Sequence, residues 1–315
     1  MSSVDEVLEV AQHDDLLVPR PVPWGGIVAR LRASSGLRRL VPAPLAMAVL
    51  DLGQRLAVAR NPKRLETGRA AMRAVVGNTP LEGDLERLAF RHLCAWARGW
   101  ELMWRPWLLA KMPVEGLEQL DGIEPGRGVV FSAPHFGPLV GMAALPQHVG
   151  PIHAAVGEHQ VSGDLPAGYN GYQIEQVRKV VGRFGFVPVR AIGSARTFTT
   201  VLKEGGRVLI NLDVPGKTPV QFLGKTVELM SGTARLAAST DAVVVPVVPL
   251  PRGHKWYVHV GAPLDPRDFP SWEDLLQAVA TAVEELVLRA PEYLEDPLRD
   301  GGWAVADRDG WRRSA

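Results

Sequence analysis

The sequence predicts an α/β protein, with a mostly parallel central sheet flanked by helices and an N-terminal helical subdomain in front of it. Two observations carry that expectation. Up to about residue 115, apolar residues recur at helical spacing; from about Gly116, short apolar runs alternate with helical segments. The composition fits: 315 residues, 46% hydrophobic and 22% charged, describe a globular chain able to bury a sizeable core.

Residues 1–27 read as a flexible arm, acidic at first and then rich in proline (Val18-Pro-Arg-Pro-Val-Pro-Trp-Gly-Gly), which favours extended backbone. One domain follows over 28–297, divided into a helical collar (28–115) and an α/β core (116–297); a polar, Gly-rich tail covers 298–315. In the collar, helices are expected near 30–40, 44–59, 65–76 and 84–105. The last carries two apolar stripes: Leu85, Leu88, His92, Ala95, Gly99 and Leu102 form one, and Trp96, Trp100, Trp104 and Trp107 the other. A helix apolar on two sides is either a core helix or a wall against something greasy, such as an acyl chain.

In the core, strands are expected at Val129–Phe131, Ile152–Val156, Phe186–Val189, Arg207–Leu212, Ala242–Val248 and Trp256–Val260. Helices are expected at Pro138–Pro146, Tyr172–Phe184, Ala195–Lys203 and Ser231–Ser239, with a last one running from the N-cap Ser271 to Arg289. Val220–Leu223 and Thr226–Leu229 read as a hairpin around Gly224-Lys225.

Several function classes fall away. A net charge of +1 gives no global field for nucleic acid, and no basic-aromatic ribbon suggests RNA binding. The single cysteine, Cys94, allows no intrachain disulfide and fits a reducing, cytoplasmic setting. No histidine and cysteine cluster has zinc spacing, no GxxxxGK[ST] phosphate loop occurs, and no GxSxG elbow marks a serine hydrolase. Met1–Asp15 lacks the basic start and apolar run of a signal peptide. The run Leu40–Leu50 is too short and proline-broken to span a bilayer. With Arg30, Arg32, Arg38 and Arg39 before it, it suits peripheral contact with an anionic membrane surface, or a core helix with a solvated basic flank.

Three stretches carry candidate chemistry. In Ser132-Ala-Pro-His135-Phe-Gly, a buried strand ends in a turn that presents an imidazole where open α/β sheets place their reactive groups. An imidazole titrates near neutral pH and can take a proton from an attacking hydroxyl or amine, so His135 is the candidate general base. In Val208-Leu-Ile-Asn-Leu-Asp213-Val-Pro-Gly-Lys217, alternation puts Asn211 and Asp213 on one face of a strand ending on the same side of the sheet. Asp213 either orients the imidazole or caps the Pro-Gly turn, and Lys217 follows as a cation. In the third stretch, Ser231, Gly232 and Thr233 open a helix with free backbone amides, and Lys225 and Arg235 flank them.

These blocks, in this order, resemble the lipid A biosynthesis late acyltransferases, which include the phosphatidylinositol mannoside acyltransferases and belong to the glycerolipid acyltransferase superfamily. The resemblance rests on Gly128–Gly137, Leu202–Asp213, Val220–Gly224, Ser231–Ala237 and Asp241–Val247, with Arg69–Asn78 and Glu101 in the helical approach, and spans about residues 28–293. It implies a membrane-associated acyltransferase working from the cytoplasmic side, peripheral on the inner face of the plasma membrane, with no cofactor. The donor would be acyl-CoA or acyl carrier protein, and the acceptor a lipid or glycolipid. The family pattern HxxxxD/E is met at His135 but departs at its acid, where Val140 stands; Asp213 is the nearest replacement. Three readings follow. The first is acyl transfer to a lipid hydroxyl. The second is transfer from a thioester or an aminoacyl-tRNA to a hydroxyl or amine of a small molecule. The third is a non-catalytic lipid-binding descendant.

Overall fold

The computed structural model describes residues 35–103, 105–109, 111–138, 141–156 and 182–295. The arm, the tail, Val140, Trp104 and most of the segment expected as a helix over 172–184 lie outside them, as do the side chains of Trp96 and Trp100.

The helical approach runs through α1 (Ser35–Leu40), α2 (Ala43–Arg60), α3 (Lys63–Val76), α4 (Leu85–Met103) and the single turn α5 (Pro106–Leu109). Prolines punctuate the start: Pro42 caps α2 and Pro44 sits in its first turn, where a missing N–H costs nothing. Met72, Val75 and Val76 of α3 and Leu88, Ala95 and Leu102 of α4 are buried, so the first stripe read from the sequence is a core stripe.

Seven strands form the central sheet: β1 (Val114–Glu115), β2 (Val129–Ala133), β3 (Ile152–Val156), β4 (Phe186–Arg190), β5 (Arg207–Asn211), β8 (Val243–Arg252) and β9 (Lys255–Val260). β6 (Pro215–Phe222) and β7 (Lys225–Leu229) pair apart from it as an antiparallel hairpin. The spatial order is β1-β9-β8-β2-β5-β3-β4, with every pair parallel except β8 with β9. Val243 to Leu250 of β8 are buried without a break, as expected of a central strand covered on both faces. Helices α7 (Ala195–Lys203), α8 (Gly232–Thr240) and α9 (Trp272–Val287) pack on one face. Leu117, Leu120, Ile123, Leu145 and Val149 line the other. Ser271 caps α9 as expected, its hydroxyl accepting from the Asp274 amide at 3.2 Å.

One expected helix is not formed. Pro138–Pro146 runs through bends and turns where it is described, and helix begins only at α6 (Pro146–Val149). The cause is packing. Gly137 takes φ +70°, and a side chain there would meet the Trp256 ring at 2.8 Å; Gly141 lies equally close to Pro249. Gly137 and Gly141 thus lie close against Trp256 of β9 and Pro249 of β8.

The hairpin tip is also set by contact. Leu223 and Gly224 both have positive φ, the geometry of a two-residue type I′ turn between the paired residues Phe222 and Lys225. Leu223 is buried, its amide donates to Glu284 Oε2 of α9 at 2.6 Å, and Lys225 Nζ donates to the Ala74 carbonyl of α3 at 2.6 Å. A Cβ on Gly224 would lie 2.1 Å from the Asn78 carbonyl oxygen. Gly224→Ala should therefore destabilise the protein by on the order of 2–3 kcal/mol, read as a lower urea midpoint.

Charges at the opposite end of the sheet serve stability. Arg127, just before β2, donates to the Asp241 carbonyl at 2.7 Å and to Asp265 Oδ1 at 2.7 Å, and Asp241 also pairs with Arg267. The Arg127 guanidinium holds the Asp265 carboxyl down at about 2, against an ordinary 3.8. The folded state thus binds this proton more weakly than the unfolded chain. The pair's stabilisation is complete above the ordinary value and disappears as pH falls towards 2. Asp265→Asn should cost on the order of 1–2 kcal/mol at neutral pH, with the gap to the parent closing across that acid window in urea titrations at stepped pH.

Candidate active site

The register of two neighbouring strands builds the site. β2 and β5 run parallel with Ala133 opposite Asn211, and the Leu212 amide donates to the Ala133 carbonyl at 2.8 Å. Two residues further along each chain stand His135 and Asp213. Separated by 78 positions in sequence, they are side by side because their strands are. Both leave the sheet at the carboxyl end of its parallel strands, where open α/β sheets hold their ligands.

Asp213 grips His135 twice. Its Oδ2 accepts from the His135 backbone amide at 2.9 Å and its Oδ1 contacts the ring Nδ1 at 2.8 Å. An ionised carboxylate only accepts, so Nδ1 carries the hydrogen and the neutral ring keeps its lone pair on Nε2. Asp213 is buried, at 3% side-chain exposure, whereas the imidazole is 35% exposed. The acid is thus withheld from solvent while the base is open to it.

Asn211 closes the triangle, its Nδ2 lying 2.6 Å from His135 Nε2. In this orientation the amide donates to the lone pair. Turned over, it would offer Oδ1 to a protonated ring, so one side chain can serve both states of the imidazole.

A strap from the far end of the fold holds the loop. The Gly137 amide donates to the Tyr293 carbonyl at 2.8 Å, the Glu295 amide donates to the His135 carbonyl at 2.7 Å, and Phe136 bridges Leu294. Tyr293 packs edge-on against Trp256 and tilted against Phe136. Burial pushes its phenol up, and Arg98 of α4, itself paired with Asp51 of α2, donates to its hydroxyl at 3.4 Å. His92 of α4 meets the Glu292 carbonyl at 2.9 Å. Nothing in the local sequence around Tyr293 signals this role, because the strap acts through its backbone.

The other candidate residues are dispersed. Lys225 is engaged with Ala74, and Arg235 lies over the Trp272 ring at 4.2 Å. Ser231 caps α8 without a side-chain cap bond, Gly232 begins the helix, and Thr233 is buried with a hydroxyl that has no partner. Lys217 is exposed on β6. The Met230 amide donates to the Val214 carbonyl at 2.9 Å, which ties the approach to α8 to the residue after Asp213. Cys94 is no rival nucleophile: burial pushes its thiol up to about 11, so it stays protonated at neutral pH. Among the described residues, no group of histidine, cysteine and acidic side chains could hold a metal.

No family model matches the chain. It is 30% identical over 271 residues to a phosphatidylinositol mannoside acyltransferase of Mycolicibacterium smegmatis, covering 78% of this chain and 82% of that one. The chain belongs to the phosphatidylinositol mannoside acyltransferase family. It is an acyltransferase. Among solved structures, it is similar to the 1-acyl-sn-glycerophosphate acyltransferase PlsC of Thermotoga maritima, at a TM-score of 0.39 and 18% identity, covering 79% of this chain and 97% of that one. That likeness is too remote to inform the site.

For the acyltransferase, Asn211 offers a direct probe. Asn211→Asp would set a second carboxylate against the imidazole and stabilise its protonated form. The acid limb of the rate profile should then move to higher pH by about one unit or more, while Asn211→Ala should not move it that way.

Proposed function

We propose that this acyltransferase moves an acyl group from a thioester, acyl-CoA or acyl carrier protein, to a hydroxyl of a lipid or glycolipid, with His135 as general base. The observation that carries this reading is the double contact between a buried carboxylate and a half-open imidazole. The Mycolicibacterium relative is named for a phosphatidylinositol mannoside, and we carry over its acceptor class, a sugar hydroxyl on a lipid.

The acceptor hydroxyl gives its proton to Nε2 as its oxygen attacks the thioester carbonyl. The tetrahedral intermediate collapses with cleavage of the C–S bond, and the leaving thiolate takes the proton back from Nε2. Asp213 fixes the tautomer and supports the transient imidazolium. Asn211 must yield Nε2 to the incoming hydroxyl, and it steadies the ring when none is present. An alcohol suits this base, because a carboxylate-supported imidazole supplies the help that a weak nucleophile needs. Transfer is direct. Cys94 is held as a thiol and Ser132 is fully buried, so neither suits an acyl-enzyme step. The enzyme meets its lipid peripherally, in keeping with the lack of any helix long and apolar enough to cross a membrane among the described residues.

The test is thiol release from acyl-CoA in the presence of a mannosylated phosphatidylinositol acceptor. His135→Ala should lower turnover by about a thousandfold or more. Asp213→Asn keeps an acceptor for the backbone amide but favours the wrong tautomer, and should cost up to about ten-thousandfold in kcat. Unchanged turnover in His135→Ala would remove the general-base assignment.

A further inference from the structure

Asp213 alone is enough to place His135. It takes the ring Nδ1 at 2.8 Å and the backbone amide at 2.9 Å, which fixes both the imidazole and the loop that carries it. The contact with Asn211 is of another kind. Its Nδ2 lies 2.6 Å from Nε2, the one ring atom that has to be free before a proton can be taken. The amide therefore engages the lone pair on which the reaction depends.

The side chain at this position suits that task. A carboxylate could only accept and would favour the charged ring, whereas an amide donates to the lone pair without adding charge. The backbone leaves the side chain alone free to move. Asn211 ends β5 opposite Ala133 of β2, and the next residue, Leu212, donates its amide to the Ala133 carbonyl at 2.8 Å. Asn211 is partly buried and the imidazole is 35% exposed, so rotation of the amide bares Nε2 on the side that solvent reaches.

We propose that Asn211 determines which nucleophile the base will serve: its amide covers Nε2 against water and yields it to the acceptor alcohol. The proposal rests on the general-base reading of His135 and adds to it the choice between acyl transfer and hydrolysis.

A thioester donor makes that choice necessary. Water at Nε2 would react as an alcohol does. Its proton passes to Nε2 and its oxygen bonds to the carbonyl carbon; the C–S bond then breaks and the thiolate takes the proton back, leaving a free carboxylic acid and a thiol. His135 and Asp213 do not tell water from an alcohol. Asn211 does, because displacing its amide costs about one net hydrogen bond, a factor of roughly five. A lipid acceptor offsets that cost with binding made by the rest of the molecule, which water lacks. The same factor enters the acceptor's apparent affinity, since only the fraction of enzyme with Nε2 uncovered is competent to bind it productively.

The experiment follows thiol and free palmitate released from palmitoyl-CoA by the full chain, first without acceptor and then over a range of mannosylated phosphatidylinositol. Asn211→Ala removes the amide, and Asn211→Ser keeps a polar side chain too short to reach Nε2. With donor alone, both variants should hydrolyse palmitoyl-CoA about fivefold faster than the parent. With acceptor present, Asn211→Ala should lower the acceptor KM by a similar factor, a direction that mere loosening of the structure would not give, and should lose a larger share of acyl groups to water. Asn211→Ala/His135→Ala should abolish the extra hydrolysis. Variants that keep the parent's circular dichroism and hydrolyse the donor no faster than the parent would overturn the proposal. A parallel fall in hydrolysis and transfer would also overturn it, as would extra hydrolysis that survives the loss of His135. The general-base reading is tested separately, by transfer in His135→Ala with Asn211 intact, and it stands or falls whatever the Asn211 variants do.

Discussion

The loop at the carboxyl end of β2 depends on one carboxylate that makes two bonds to one residue. Asp213 fixes the imidazole through Nδ1 and the loop through the backbone amide, so the conformation of the loop and the tautomer of the ring are set together. A buried carboxylate requires donors, and both of its oxygens find one on His135. Five positions after the histidine the sequence has Val140 and no acid. The neighbouring strand supplies a carboxylate from a position that the β2–β5 register fixes.

Much of this was legible in the sequence, and the residues show why. The 3.6-residue spacing of Leu88, Ala95 and Leu102 and the unbroken apolar run of β8 announce a helix and a buried strand, because burial imposes those periods directly. His135 and Asp213 could each be picked out as polar residues following apolar strands. Their contact stood only as one of two readings of Asp213, orienting the imidazole or capping the Pro-Gly turn, since strand order is a non-local property and the sheet runs β8-β2-β5-β3 and not in chain order. The misread helix at Pro138–Pro146 has the same origin: the shape of Trp256, more than a hundred residues away, decides the path of Gly137. Lys225, which looked like a free cation beside a helix start, is drawn instead to the Ala74 carbonyl because the hairpin tip is driven into the collar. The strap through Tyr293 was invisible because backbone groups leave no signature in side-chain patterns.

The helical collar and the α/β core depend on each other. The collar contributes α4, whose His92 and Arg98 meet the strap, and α3, whose Ala74 and Asn78 receive the hairpin tip. The core returns the strap itself. Rigidity around His135 is thus assembled from groups on both sides.

The strap also joins parts of the chain that are made at different times. His135 and Asp213 emerge from the ribosome well before Tyr293 to Glu295, and until those residues arrive the carbonyl of His135 and the amide of Gly137 lack their partners. The nascent chain therefore carries this carboxylate and imidazole before it carries the strap, and a chain cut before Tyr293 would lack both backbone partners of the loop that bears His135.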